Sequence, residues 1–412
     1  MPRRPKTATA PLAPTESAST PQSASTPQSM ESTRSGQAPP APRPGPSEVL
    51  PMRVSGVLHK VPPPRSGSSR GTPTEPVIRR FGFTHTVNPY RGCAFACRYC
   101  YARYTHEWLG FDGGADFDQR LRVKLDFATT LSHELRRLAR RRDAGTEEVR
   151  GIAIGTATDP YQPIEQEYGL TRAALEVFAE EKGWPVELTT KSNLILRDLP
   201  LLKKVAANNS LTIHVTITTL DRTIARGLEP GAPSPRARLE AIAALTEAGI
   251  RVVPFVSPLM PGINDRTADL EALFRELSQV GVERVICEAV FLRSPTREVF
   301  IEYLEKEHPE QVERYRRRFA ESAYLSPVEV ERLRAKVDRL RRKFGLSGAE
   351  AAGTRERSTR APRRRGARRL PTRRPPETPA EGLQQLALGF SAGGASLTAD
   401  PDSTTLDPRS AR

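Results

Sequence analysis

The chain lacks any apolar run of the roughly 20 residues needed to span a bilayer. Its basic N-terminus is not followed by the hydrophobic stretch of a secretory signal. A cytoplasmic protein with no membrane partner is therefore expected. Cysteine is also scarce, with four in 412 residues. Three of them fall within eight positions, so they cannot form a disulfide framework and suit a metal or redox role in a reducing compartment. Both ends are poor in apolar residues. Residues 1–78 are dominated by Pro, Ser, Thr, Ala and Gly, with SASTPQ occurring twice, and residues 345–412 are rich in Arg and Pro. Neither offers enough apolar surface to offset its ordering entropy. The expected partition is a disordered 1–78 tail, a core over 79–325, a helix over 326–344 packed on that core, and a disordered 345–412 tail.

The net charge of +15 is spread rather than concentrated in the core. Residues 1–78 hold 9 Lys/Arg against 4 Asp/Glu, and residues 345–412 hold 12 against 7. Each tail thus carries +5, as does the longer core. The one dense basic run is Arg360–Arg374, which would attract a polyanion such as nucleic acid. A solvated tail without a dedicated partner explains it equally well.

From about Phe81 the texture becomes alternating. Strand-like runs are Thr84–Asn88, Gly151–Gly155, Val186–Thr190, Leu211–Ile217, Val252–Val256 and Arg284–Phe291. They are short and apolar, as buried parallel strands are. Helical patterns lie between them. Phe127–Arg142 places Leu131, Leu135 and Leu138 on one face, and Thr171–Glu181 opens on a Thr cap. Leu199–Ala207, Ser234–Ala248 and Arg266–Val280 follow, the last two stopped by Gly249 and Gly281. Six alternations imply a parallel α/β sheet with right-handed crossovers. Beyond it, Arg297–Phe344 reads as charged helix interrupted at Ser326-Pro327, with Leu333, Val337 and Leu340 as its apolar stripe.

Directly after the first strand comes VNPYRGCAFACRYCYARYTHEW, which sets Cys93, Cys97 and Cys100 at Cx3Cx2C spacing. Three thiolates in one loop reach three corners of an iron–sulfur cubane. The fourth cysteine, Cys287, is far along the chain, so one iron lacks a protein ligand and is open to chemistry. The competing reading is a zinc site completed by His85, His106 or Cys287.

The cysteine motif has ordered companions: GTATDPYQPIE (155–165), TTKSNLILRD (189–198), HVTITTLD (214–221), LEPGAPSPRARLEAI (228–242) and PFVSPLMPGIND (254–265). Together they resemble the spore photoproduct lyase-like subgroup of the radical SAM superfamily, from about Arg79 to Arg293. The resemblance implies a (β/α)6 partial TIM barrel with its chemistry at the C-terminal strand ends. It implies a [4Fe–4S] cluster on Cys93, Cys97 and Cys100, with S-adenosyl-L-methionine chelated at the open iron. An electron from a reductant such as a ferredoxin or flavodoxin would cleave the S–C5′ bond. The resulting 5′-deoxyadenosyl radical would take a hydrogen atom from substrate.

The same resemblance assigns the strand ends. The superfamily meets the methionine amine with a GGE-like loop; here GTATDP offers Thr156, Thr158 or Asp159, with Tyr161, Gln162 and Glu165 on the same mouth. Lys191 and Ser192 end the third strand, where a cation suits the methionine carboxylate. Thr218, with Thr219, ends the fourth and faces the ribose. Glu229 and Arg238 follow on a loop and helix and are candidates for cofactor contact, Arg238 as a cofactor-binding residue, against the reading of an exposed pair of little consequence. Pro258–Asn264 is expected to pack on adenine, and Tyr99 to meet it through its main chain. Cys287 is either a buried small hydrophobe or a hydrogen donor to a substrate radical. Spore photoproduct lyase itself uses a donor cysteine between the cluster loop and the third strand, and this chain has none there.

The C-terminal island Gln385–Phe390 (QLALGF) resembles the peptides that dock on the bacterial DNA sliding clamp. Three functions remain open at this stage. They are a radical SAM enzyme acting on nucleic acid, one acting on a small molecule or peptide, and a non-catalytic iron–sulfur or zinc protein recruiting DNA partners through its tails.

Overall fold

A computed structural model describes residues 46–61 and 82–348. The Arg360–Arg374 and Gln385–Phe390 readings lie outside the described residues. Eight strands are present among those described: β1 (Glu48–Met52), β2 (Leu58–Lys60), β3 (His85–Val87), β4 (Tyr90–Arg91), β5 (Arg120–Lys124), β6 (Ile152–Ile154), β7 (Pro185–Thr190) and β8 (Ser210–Val215).

The barrel wall runs β2-β3-β6-β7-β8, with β3, β6, β7 and β8 parallel. The helices Phe127–Asp143, Leu170–Glu180 and Leu199–Asn208 alternate with these strands. They bury Leu131, Leu135 and Leu138, then Leu175 and Phe178, then Leu202 and Val205. The wall then continues through isolated parallel bridges. Val252 pairs with Ile213, Phe255 with Thr216, Ile286 with Phe255 and Ala289 with Leu259. The fifth and sixth runs expected as full strands are thus only bridged. Pro254 and Pro258 have no N–H to offer a ladder at these positions, which limits pairing to single contacts. The whole keeps the parallel α/β sheet that the alternation implied, in the partial barrel that the resemblance implied.

The N-terminal boundary expected at residue 78 is corrected. Residues Glu48–Met52 pair in parallel with β5, and Leu58–Lys60 pair antiparallel with β3 on the open edge of the barrel wall. Glu134 on the first long helix accepts the main-chain N–H groups of Val57 and Leu58 (2.9 and 2.8 Å). The apolar island EVLPMRVSGVLHK is hidden when composition is averaged over a Pro/Ser-rich segment. At the other end, Gly345 caps the helix Pro327–Phe344 in the left-handed conformation, and Ser347 pairs with Arg284. The fold therefore extends slightly past residue 345. That last helix starts on a Ser326/Glu329 capping box and buries Leu333, Val337 and Leu340. Thr171 is not a cap. Gly169 (φ 60°) precedes the helix, and Thr171 donates its hydroxyl to the Pro160 carbonyl.

Strand β5 was not legible in advance and carries a costly group. Lys124 is 1 % exposed. Burial, then Arg91, push its ammonium down to about 7 against the opposing pull of Glu134. An unfolded lysine titrates at about 10. Below pH 7 both states are charged and the folded state bears the full cost. Between about 7 and 10 the unfolded chain binds the extra proton, so stability rises with pH across that window. Lys124→Met is expected to stabilise the fold most near pH 6.5, by up to roughly 4 kcal/mol, and much less near pH 9.5. Melting curves at the two pH values check this, and a variant no more stable at pH 6.5 contradicts it.

Candidate functional site

The cysteine loop leaves β3 and β4 and enters a 3-10 helix, Tyr101–Leu109. Cys93 and Cys97 are buried, and Cys100 is half-buried. Ala96 holds a left-handed backbone (φ 53°) between the first two, a strained choice for a residue with a Cβ. Burial raises the Cys93 thiol, with Asp159, Cys97 and Cys100 adding to it. Burial likewise pushes Cys97 up to about 12 and raises Cys100. The three sulfurs are therefore electrostatic neighbours in a dry loop, a donor set that a bound metal cluster would deprotonate.

The loop is fastened by main-chain contacts to the rest of the mouth. Arg103, fully buried, donates from Nε and Nη2 to the Cys97 carbonyl (3.3 and 3.0 Å) and from Nη1 to the Gly114 carbonyl (2.6 Å). Its charge is met by Asp118 at 2.9 Å. Thr296 donates to the Cys100 carbonyl (2.7 Å) from the start of helix Thr296–Glu307. The Arg98 N–H reaches the Leu228 carbonyl, and Gly231 N–H reaches Phe95. A Cβ on Gly231 would overlap the Ala94 carbonyl, so the fourth-strand loop lies directly on the cysteine loop.

The zinc reading loses its extra ligands. His85 faces Glu147 (3.7 Å) on the far side of β3. His106 bonds the Arg120 carbonyl (2.9 Å) and packs edge-on to Phe117. The Cys287 thiol lies against Arg341 of the last helix, and burial pushes it up to about 12. Its place on the helix-facing side of the wall corrects the hydrogen-donor reading. Among the described residues, no three His, Cys, Asp or Glu side chains close on one ion position. A mononuclear site needs that convergence, whereas a cubane takes its thiolates at separate iron corners.

Around this loop the strand ends assemble much as the motifs placed them, but several groups are already engaged. Gly155 (φ 87°) turns the chain out of β6 where a Cβ would lie 2.5 Å from Pro160 Cδ. The Asp159 carboxylate accepts from Thr190 Oγ1 (2.7 Å), Lys191 N–H (2.7 Å) and Tyr161 N–H (3.0 Å). Burial raises its carboxyl, opposed by Lys191 and these donors. Asp159 therefore clamps the second strand end to the third, which corrects its reading as a free ammonium partner. Thr156 bonds Asn88 (3.1 Å), and Thr158 donates to the Gly92 carbonyl (2.6 Å). Ser192 caps the following 3-10 turn by accepting Leu194 N–H (3.2 Å).

Lys191 places Nζ 5.8 Å from the Tyr99 ring centroid. Burial lowers its pKa, but Cys97, Glu229 and Asp159 outweigh it and hold the ammonium charged. Arg238 and Glu229 are corrected from an exposed to a buried pair, each 1 % exposed and 2.5 Å apart. Arg238 also donates to the Pro233 (2.8 Å) and Thr216 (3.2 Å) carbonyls. Its donors are committed to ordering the fourth strand end. Glu229 in turn accepts from the Tyr99 hydroxyl and from Thr218 Oγ1 (3.4 Å). Tyr161, Gln162 and Glu165 turn inward. Tyr161 bonds Asp198 (3.2 Å), while Glu165 accepts from Tyr90 (2.5 Å) and Arg197 (3.0 Å).

Comparison with known proteins agrees with this site. A family model described as the Radical SAM superfamily matches residues 87–277. An uncharacterized protein of Mycobacterium tuberculosis is 39% identical over 266 residues, which cover 65% of this chain and 76% of that protein. A radical SAM Nalpha-GlyT isomerase of Pseudomonas phage M6 is 27% identical over 63% of this chain and 50% of its own length. The solved spore photoproduct lyase with bound AdoMet and dinucleoside spore photoproduct superposes with a TM-score of 0.51. The match is 16% identical and covers 65% of this chain and 76% of that one.

Proposed function

Because this chain belongs to the radical SAM superfamily and is a radical SAM enzyme, we propose that it reductively cleaves S-adenosyl-L-methionine at a [4Fe–4S] cluster on Cys93, Cys97 and Cys100 and acts on nucleic acid. When bound, the cluster and cosubstrate supply a 5′-deoxyadenosyl radical that abstracts hydrogen from the substrate. The chain's own residues bind and orient. Lys191 offers a charged ammonium to the methionine carboxylate. Thr156 presents an oxygen on the loop proposed to meet the amine, and Thr158 ties that loop to the Gly92 carbonyl. Thr218 and Tyr99, ordered by Glu229, face the remainder. Ala94 and Ala96 line an outer cavity of about 470 Å³ together with Arg222 and Arg226, a face suited to an acidic reductant such as a ferredoxin or flavodoxin.

The observation that carries the substrate class is an aromatic and arginine wall beside the cysteines. Tyr101 is 37% exposed and donates its hydroxyl to the Thr156 carbonyl at the mouth. Buried Tyr104 backs exposed Trp108 edge to face at 5.2 Å, and the exposed Arg293 guanidinium lies 5.2 Å over the Tyr104 ring. Aromatic rings and guanidinium planes are the surfaces on which unstacked bases rest. The fold likeness to a lyase solved with a dinucleoside lesion supports the same class.

Reduced protein with S-adenosylmethionine is expected to release 5′-deoxyadenosine under anaerobic conditions. With deuterated oligonucleotides, deuterium is expected in that product. Cleavage without transfer from single-stranded, duplex or modified oligonucleotides would remove the nucleic-acid part and leave the enzyme class standing.

A further inference from the structure

Each cysteine of the loop has its main chain held by a different side chain, and the hold on Cys93 is the most elaborate. Gln162 is fully buried in the loop that follows β6. Its side-chain oxygen accepts the Ala94 N–H at 2.9 Å. Its amide nitrogen donates to the Gly92 carbonyl at 3.2 Å and to Thr158 Oγ1 at 2.9 Å. Thr158 donates in turn to the same Gly92 carbonyl. The two peptide groups flanking Cys93 are thus met by the two ends of one amide.

The orientation of that amide is dictated by its partners. A main-chain N–H requires the oxygen and a carbonyl requires the nitrogen, so a flip would break both contacts at once. The same turn brings the Asp159 main chain beside the Cys93 sulfur. Donors to ligand sulfurs set cluster potential, and outer groups that orient ligands set affinity.

We infer that Gln162 is a positioning residue for the iron–sulfur centre, fixing Cys93 in register with the Thr156–Thr158 loop. The inference rests on the reading that the three cysteines hold a cubane. It assigns Gln162 no contact with substrate or cosubstrate.

The test compares wild type, Gln162→Met and Gln162→Glu after anaerobic reconstitution. Methionine keeps the volume and loses all three hydrogen bonds. Glutamate keeps the length and the acceptor for Ala94 and loses the donor to Gly92. Iron release to a ferrous chelator is expected to quicken by about 10–100-fold in Gln162→Met and by less in Gln162→Glu. The EPR signal and midpoint potential of the reduced cluster should shift in both, while the melting temperature of the cluster-free protein stays near wild type. Unchanged release and EPR in a folded variant would overturn the inference. So would cluster lability that merely tracks a fall in cluster-free stability. Should Gln162→Met fail to fold, Gln162→Glu decides by the same readings. A wild type that holds no cubane would instead sink the site reading itself.

Discussion

Cys97→Ala protein prepared without oxygen is expected to lose its [4Fe–4S] cluster and to form 5′-deoxyadenosine at least about 1,000-fold more slowly than wild type, since the acceleration an enzyme provides departs with its cofactor. Three thiolates are the least that hold a cubane while leaving one iron free, and removal of one leaves two. The fold should survive. Cys97 contributes its carbonyl to Arg103 and to the Cys100 N–H, and that carbonyl remains in alanine. Cys287→Ala is the internal control. Its thiol lies against Arg341 on the outer layer, so iron content and cleavage rate should match wild type. Iron and sulfide counts with EPR, followed by chromatographic assay of the nucleoside, read both variants. A Cys97→Ala protein with a full cluster and normal rate would refute the ligand assignment.

Arg238→Met is expected to cost about 3–5 kcal/mol of folding stability, because it leaves Glu229 as a buried carboxylate without its counterion. Burial alone would raise the Glu229 carboxyl. Arg238 and Lys191 overcome that and hold it below the usual carboxylate range. A depressed carboxyl contributes stability that is present above its unfolded pKa and is lost as pH falls through the folded value. Without Arg238, Glu229 meets a net desolvation penalty that protonation relieves. The deficit of the variant should therefore be largest at neutral pH and shrink toward pH 4, as protonation relieves the variant and wild type begins, below about 4.5, to lose the benefit. Urea unfolding at the two pH values measures this. Adding Glu229→Leu to Arg238→Met should recover part of the loss, whereas strictly additive penalties would show that the pair is not coupled.

The readable parts of this molecule are those whose physics is local. Strands β3, β6, β7 and β8 follow runs of apolar and β-branched residues, because a strand buried on both faces needs them over four to six positions. The cysteine loop is readable because its ligands are contiguous. The fifth and sixth wall segments share that apolar texture, but Pro254 and Pro258 remove donors and leave single bridges. Arg238 and Glu229 looked exposed because their sequence neighbours are polar, and only the packing of the fourth strand end shows them buried. Thr296 and Gln162 serve the cysteine loop from 196 and 68–70 positions away. Sequence proximity carries no trace of such contacts. Asp159 carried the right address and a different task. A carboxylate at a strand end can bind a ligand or tie two loops together, and here three donors from its own chain occupy it.

The open sheet has a further implication for handling this protein. An unfinished barrel has two free borders, and the one beside β3 carries the cysteine loop at its end. The antiparallel segment Leu58–Lys60 occupies that border, which would otherwise offer its unpaired peptide groups to any passing strand. The opening stretch of the chain, rich in proline and serine, therefore includes a selvedge that keeps the sheet from fraying or joining another. Trimming to the catalytic motif alone would remove it, and with it the safeguard against association through the side nearest the cysteines.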